Sequence, residues 1–233
     1  MSNMSPFGHS IASILILHMW AGCVLAQTSP PAEDPFAPKA FVPLTAAQIE
    51  ESVEKDRKET QERIVKEFKE PLLASIDAVI PTVRFVCIRT FHRPFCIRVF
   101  KDKDGPKLRV VRMAGKGGYD WGKIELDETK TISEEDWKRV FTVVRTPGVQ
   151  SPLMALNPEE RLMSSGLDGS RWYLESNANG KPSFADVWTP ESLLPSEARK
   201  VPKGIDIKPF YEFGLMLVKL AGMPIDDPSD PIY

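Results

Sequence analysis

An α+β fold, a single domain in which antiparallel β-hairpins or a meander pack against two or three helices, is what this sequence predicts. Three observations predict it. Segments of period two, rich in β-branched and aromatic residues, follow one another in pairs instead of alternating with helices. Two of these pairs are joined by hairpin dipeptides, Asp104-Gly105 and Asn179-Gly180. Segments of helical period with recognisable start signals open, interrupt and close the series, giving the order α-ββββ-α-ββ-α. The composition agrees: 233 residues, 42% hydrophobic and 27% charged with a net charge of -2, describe an ordinary globular chain. That balance excludes collagen-like and wholly disordered classes. It also gives no reason for whole-chain attraction to nucleic acid.

The chain opens with a leader. Residues 1–26 contain no Asp, Glu, Lys or Arg, and Ile11 to Ala26 is an apolar run broken only by Ser13 and His18. The run is shorter than the ~20 residues of a membrane span and fits the apolar region of a signal peptide. Val24-Leu25-Ala26 supplies compact residues before a cleavage point at Gln27. Cys23 offers a competing reading, because Ala21-Gly22-Cys23 matches the end of a bacterial lipobox, although Trp20 stands where Leu is usual. A retained anchor is the third reading, and the usual positive charge is missing from residues 1–10. Export is the expectation, periplasmic or secreted, with a lipid anchor at Cys23 as the alternative and no transmembrane span in the mature form. Residues 27–44 hold five prolines and read as a semi-rigid tether. The domain is expected over residues 45–223, with a tail at 224–233.

Within the domain, Thr45 and Gln48 form a capping box that starts a helix. Its stretch Glu54–Arg63 has no apolar residue and is expected to project into water. Pro71 should restart the helix, with Leu72, Leu73, Ile76, Val79 and Ile80 as its packed half. Strands follow at Val83–Phe91, Phe95–Lys101 and Leu108–Met113, with a weaker one at Trp121–Leu126. Ser133 and Asp136 cap a second helix, and Asn157-Pro158 starts a helical turn. Arg171–Ser176 and Ser183–Trp188 form a hairpin. Pro209 opens a closing helix whose Phe210, Phe213, Leu217 and Leu220 share one face.

Cys87 and Cys96 are the cysteines left once the leader is removed. A two-residue turn at Phe91-His92 would place them opposite each other, so a disulfide is the expectation for an exported domain. Buried thiols are the alternative. Their spacing is not C-x-x-C, and with His92 alone nearby they make an incomplete metal set, so neither a metal nor a cofactor is expected. His92 is the one histidine beyond the leader. A Ser-His-Asp or Cys-His mechanism would have to run through it, and no phosphate-loop, dinucleotide, G-x-S-x-G or H-E-x-x-H motif occurs. The chain is therefore expected to be non-catalytic rather than an enzyme.

Two candidate binding surfaces emerge. Val83 to Lys116 carries ten basic residues against Asp102 and Asp104, and Arg84, Arg98, Arg109 and Arg112 represent a basic sheet face. Acidic elements of the same chain or an anionic partner would neutralise it. In the C-terminal hairpin, the Asn179-Gly180 turn sets Trp172 opposite Val187 and Leu174 opposite Ala185 on an apolar face. The other face then carries Arg171, Tyr173, Glu175, Asp186 and Trp188, a mixture suited to recognition or to burial beneath another element. Leu167-Asp168-Gly169-Ser170, Trp172, Leu174-Glu175, Val187-Trp188-Thr189-Pro190 and Leu215–Gly222 resemble an uncharacterised family of exported bacterial proteins, a domain of unknown function with DGSxWxLE, WxP and LAG signatures. The resemblance covers the last third. It implies a bacterial source and a single domain, and brings no active-site residues. The expected function is an exported binding or immunity-type protein recognising another protein or an anionic envelope component. An envelope hydrolase using Asp168, Glu175 and Asp186 is the alternative. Intact-mass measurement on exported protein should give a chain beginning at Gln27, or an acylated Cys23; a mass that includes Met1 or Met4 would remove the export premise.

Overall fold

Thr45 starts the first helix as its sequence signal requires. Its hydroxyl accepts from the Gln48 N–H at 3.3 Å while Gln48 Oε1 accepts from the Thr45 N–H at 2.9 Å, the reciprocal pair that satisfies two otherwise orphaned donors. The computed structural model describes residues 45–73, 80–118, 120–153, 168–178, 182–195 and 205–224. The leader, the tether, the tail beyond residue 224 and the Asn157-Pro158 turn lie outside them, as does most of the expected helix at 72–80. The elements are α1 (Ala46–Glu67), β1 (Val83–Arg89), β2 (Phe95–Asp102), β3 (Gly105–Met113), β4 (Ile124–Thr131), α2 (Glu134–Val143), α3 (Pro147–Gln150), β5 (Ser170–Ser176), β6 (Ser183–Trp188) and α4 (Lys208–Ala221).

The six strands form one antiparallel sheet in the order β4-β3-β2-β1-β5-β6. The architecture is the expected α+β one: β1 is central, the β1–β4 meander spreads to one side, and the β5–β6 hairpin is added to the other. The hairpin register is the one the turn signal predicts, with Trp172 opposite Val187, Leu174 opposite Ala185 and Arg171 opposite Trp188. Strand β4 is later than expected. Trp121 sits in the preceding loop with its ring 5.4 Å from Phe68, and the strand proper is a largely exposed, polar edge whose alternation is weak in the sequence.

Both faces of the sheet are covered. One face is apolar: Phe85, Cys87, Ile97, Val110, Trp172 and Val187 are buried against Phe141 of α2, Val149 of α3 and Phe210, Phe213 and Leu217 of α4. Gly214 allows this approach, since a Cβ there would stand 2.4 Å from the Trp172 ring. The second face packs on α1, where Ile64 and Phe68 meet Val86, Cys96, Val111, Met113, Trp121 and Tyr173. The middle of α1 therefore lies along the sheet, with Arg57, Thr60 and Gln61 half-buried against it and the other residues of 54–63 exposed as the sequence predicts. Arg57 stacks 5.4 Å from the Phe184 centroid, and Gln61 donates to Glu175 at 2.7 Å. Its stripe of Arg57, Gln61, Ile64 and Phe68 keeps helical spacing but is polar in its first half, because the sheet beneath is polar there.

The cysteine expectation is overturned. The ladder pairs Cys87 with Phe95 and Val86 with Cys96, one residue out of the expected register. A one-residue slip sends side chains to opposite faces, so Cys87 lies in the apolar core and Cys96 under α1, and no disulfide links them. The cause is the connection at residues 90–94. The Arg89 guanidinium donates to the Arg93 carbonyl at 3.2 Å, the Arg89 carbonyl accepts from Gly118 at 2.8 Å, and Pro94 has no N–H to offer a ladder. The first of these contacts claims the Arg93 carbonyl, which a two-residue turn would have paired with Thr90. Gly117, at φ 83, permits them: a Cβ would fall 1.9 Å from the Arg89 carbonyl oxygen. Burial pushes the Cys96 thiol well above its ordinary range, which keeps it protonated and unreactive. The folded protein should resist alkylation at both cysteines until denatured. A gain of two hydrogen masses on reduction would contradict this register.

Candidate functional site

The face beneath α1 divides into a closed ion cluster and an open pocket. The cluster begins as a problem of register: Arg109, Arg98 and Arg84 stand directly opposite one another across β3, β2 and β1. Like charges opposed in this way repel. The chain answers from α1, whose helix ends at Phe68 and turns at Lys69 with φ 52, bringing Glu70 down onto the row. Glu70 Oε2 lies 2.7 Å from Arg98 Nε and 3.6 Å from Arg84 Nη1, and Oε1 meets Arg109. The Arg98 and Arg84 contacts lack hydrogen-bond alignment, so they act by Coulomb attraction.

Glu175 takes the Arg84 Nε–H at 2.6 Å from the next strand, and Asp127 accepts two bonds from Arg109 at 2.8 Å. The Arg84 and Glu70 side chains are fully excluded from solvent. Three of the basic candidates, Arg84, Arg98 and Arg109, are thus neutralised inside the protein. Arg112 is not on their face at all. It alternates to the side of Phe95, its cross-strand neighbour, and bonds Glu125 at 3.0 Å.

The pocket lies beneath the middle of α1, over the ends of β1, β5 and β6, and has a volume of ≈ 280 Å³. Helix α1 contributes Asp56, Thr60 and Arg63, spaced so that one helical face presents all three. The cross-strand row Ile88, Arg171 and Trp188 forms the floor, with Tyr173 beside it. Arg89, Thr90, Gly118 and Trp121 close the side.

Arg171 is the centre of its electrostatics. Asp186 accepts from Nε at 3.0 Å and from Nη2 at 2.6 Å, and Asp56 accepts a further bond from Nη2. Burial opposes the Arg171 charge, but the bonds to Asp186 and Asp56 outweigh it and raise its pKa, so the guanidinium stays charged. Burial lifts Asp186 above the usual carboxylate range against the pull of Arg171. Burial, followed by the Asp186 charge, likewise raises Tyr173, whose hydroxyl stands 3.4 Å from Thr60 Oγ1. Guanidinium groups already cover two aromatic rings: Arg63 lies 3.9 Å from the Trp121 centroid and Arg171 4.9 Å from that of Tyr173.

Of the C-terminal candidates, the fold brings Arg171, Tyr173 and Trp188 to the pocket, sets Asp186 behind them, and removes Glu175 to the ion cluster. Asp168 is exposed in the bend just before β5. The sequence reading missed Asp56, Thr60, Arg63, Arg89 and Trp121; the available signal was the shared helical face of the first three. Among the described residues no group of three or more His, Cys, Asp or Glu could hold a metal, and no helix is long and apolar enough to cross a membrane. The chain matches no known family model and no curated protein at significant similarity.

Glu70→Gln should lower unfolding stability by about 3–5 kcal/mol, because removing one member leaves buried charges uncompensated. A urea titration checks it, and a loss under ~1 kcal/mol would show that the arginine row does not need Glu70.

Proposed function

We propose that this is an exported, non-catalytic binding protein that recognises an anionic partner, a protein or a component of the cell envelope, at the pocket beneath α1. The observation that carries the reading is the lining itself: Arg63 and Arg171 stand with Trp121, Tyr173 and Trp188 around one cavity whose lining includes a single carboxylate, Asp56. Arg, Trp and Tyr are the residues that dominate interface hot spots. A cavity of ≈ 280 Å³ lies at the lower end of small-molecule sites and suits a side chain or a small acidic group. The charge-free apolar leader supports export. Binding is favoured over hydrolysis because Glu175 and Asp186 are each engaged by an arginine, and only Asp56 among the acids faces the cavity.

The test uses the tagged, naturally processed protein and an envelope extract of its own host. Trp188 is only partly buried, so Trp188→Ala should abolish partner capture while Tm falls by no more than a few degrees. Tyr173, 1% exposed, belongs to the core beneath α1, and its alanine variant should lose about 3–5 kcal/mol of stability instead. Undiminished capture by folded Trp188→Ala would place recognition elsewhere. Loss of turnover of an envelope substrate in a folded Glu175→Gln variant would replace binding with catalysis.

A further inference from the structure

The guanidinium of Arg171 has two edges that can hold a carboxylate with paired bonds, one through Nε and Nη2 and one through Nη1 and Nη2. Asp186, fixed on β6, fills the first edge from within the sheet. The second edge faces differently. Its Nη2 meets Asp56, whose side chain on α1 is 51% exposed, and its Nη1 has no acceptor among the described residues. One edge is therefore a permanent part of the fold, and the other is half used, by a surface acid on a separate element. We propose that Asp56 is a built-in stand-in for the ligand: a carboxylate carried by a partner peptide or protein displaces it and takes the Nη1–Nη2 edge of Arg171 with two bonds. This rests on the pocket being the binding site.

Three features define the incoming group. It is an anion, because Arg63 and Arg171 already cover the Trp121 and Tyr173 rings that would otherwise cage an ammonium group. It is a single, flat charge, because what it replaces is one carboxylate and the edge it meets is a planar fork. It arrives on a polypeptide, because Phe91, 67% exposed, follows the pocket residue Thr90 directly in the chain and gives the adjoining loop an open apolar side chain that a longer, amphipathic partner can cover. Phe91 is the most exposed of the large hydrophobic residues among those described.

The experiment is calorimetric titration of the processed protein, at fixed ionic strength, with an acetylated and amidated tetraglutamate peptide, its glutamine counterpart, oligogalacturonate and inorganic phosphate. The glutamate peptide should bind and the glutamine peptide should not. Asp56→Asn should tighten glutamate binding about fivefold, since a half-exposed ion pair competes only weakly. Arg171→Lys, which keeps a charge beside Asp186 but removes the fork, should lose most of that binding. Binding that Asp56→Asn leaves unchanged or weaker overturns the displacement while leaving the pocket reading intact. Stronger response to phosphate or to oligogalacturonate than to the peptide overturns the peptide carboxylate as ligand. If no probe binds and Trp188→Ala still captures the partner, the pocket reading itself fails.

Discussion

Three arginines directly opposed across neighbouring strands are the constraint around which this protein is built. At about 5 Å and an effective dielectric of 20, each adjacent pair repels by roughly 3 kcal/mol. Arg109, Arg98 and Arg84 can share a face only because Glu70, Glu175 and Asp127 reach them from three separate elements. A well-packed apolar core could stabilise the domain as effectively. What the ions add is direction. Glu70 must arrive from above the sheet, so the chain leaves α1 through Lys69 at φ 52, and the C-terminal end of the helix is pinned over β1 to β3.

That pin decides where the rest of α1 lies. From Phe68 and Ile64, buried on the sheet, the helix runs back over β5 and β6, where Gln61 meets Glu175, Thr60 meets Tyr173 and Asp56 meets Arg171. The pocket is the space left where this polar half of α1 bridges the sheet's end. On the opposite face no such accounting is needed, because helix and sheet meet through apolar side chains and a glycine that lets the Trp172 ring approach. The sheet is thus held by apolar area alone on one side, and by a smaller apolar cluster together with complementary charge on the other.

What could be read in the sequence follows the same division. The β5–β6 register was legible because a strong turn dipeptide and clean alternation specify it together, and a slip would have turned Trp172 and Leu174 away from the core. The caps of α1 and α2 were legible because their signals are local, as the Ser133 hydroxyl accepting from the Asp136 N–H at 3.0 Å illustrates. The β1–β2 register was not. It depends on Gly118 and Arg89 contacts that are distant in sequence or local to an irregular loop, and neither face of β1 is polar enough in pattern to reveal a slip. The docking of α1 was hidden for a related reason. A helix that meets a charged sheet lays polar residues on it, here the half-buried Arg57, Thr60 and Gln61, and Glu54–Arg63 then carries the pattern of a solvated surface.

The two charge clusters on this face use the same residue types, yet differ in what they leave available. Around Glu70 the cations are met by carboxylates of the protein, and Arg84 and Glu70 have no solvent exposure, so the cluster has nothing to exchange. Around Arg171 one carboxylate is held in the sheet and the other stands on a half-exposed helical position beside an open cavity. An ion pair in the first setting costs too much to break in the folded state, whereas one in the second is worth little to stability and can be traded for an equivalent group. Exposure of one partner, not the presence of arginine, is what separates the two clusters, and it puts the exchangeable ion pair at the β5–β6 end of the sheet instead of on its most basic strands.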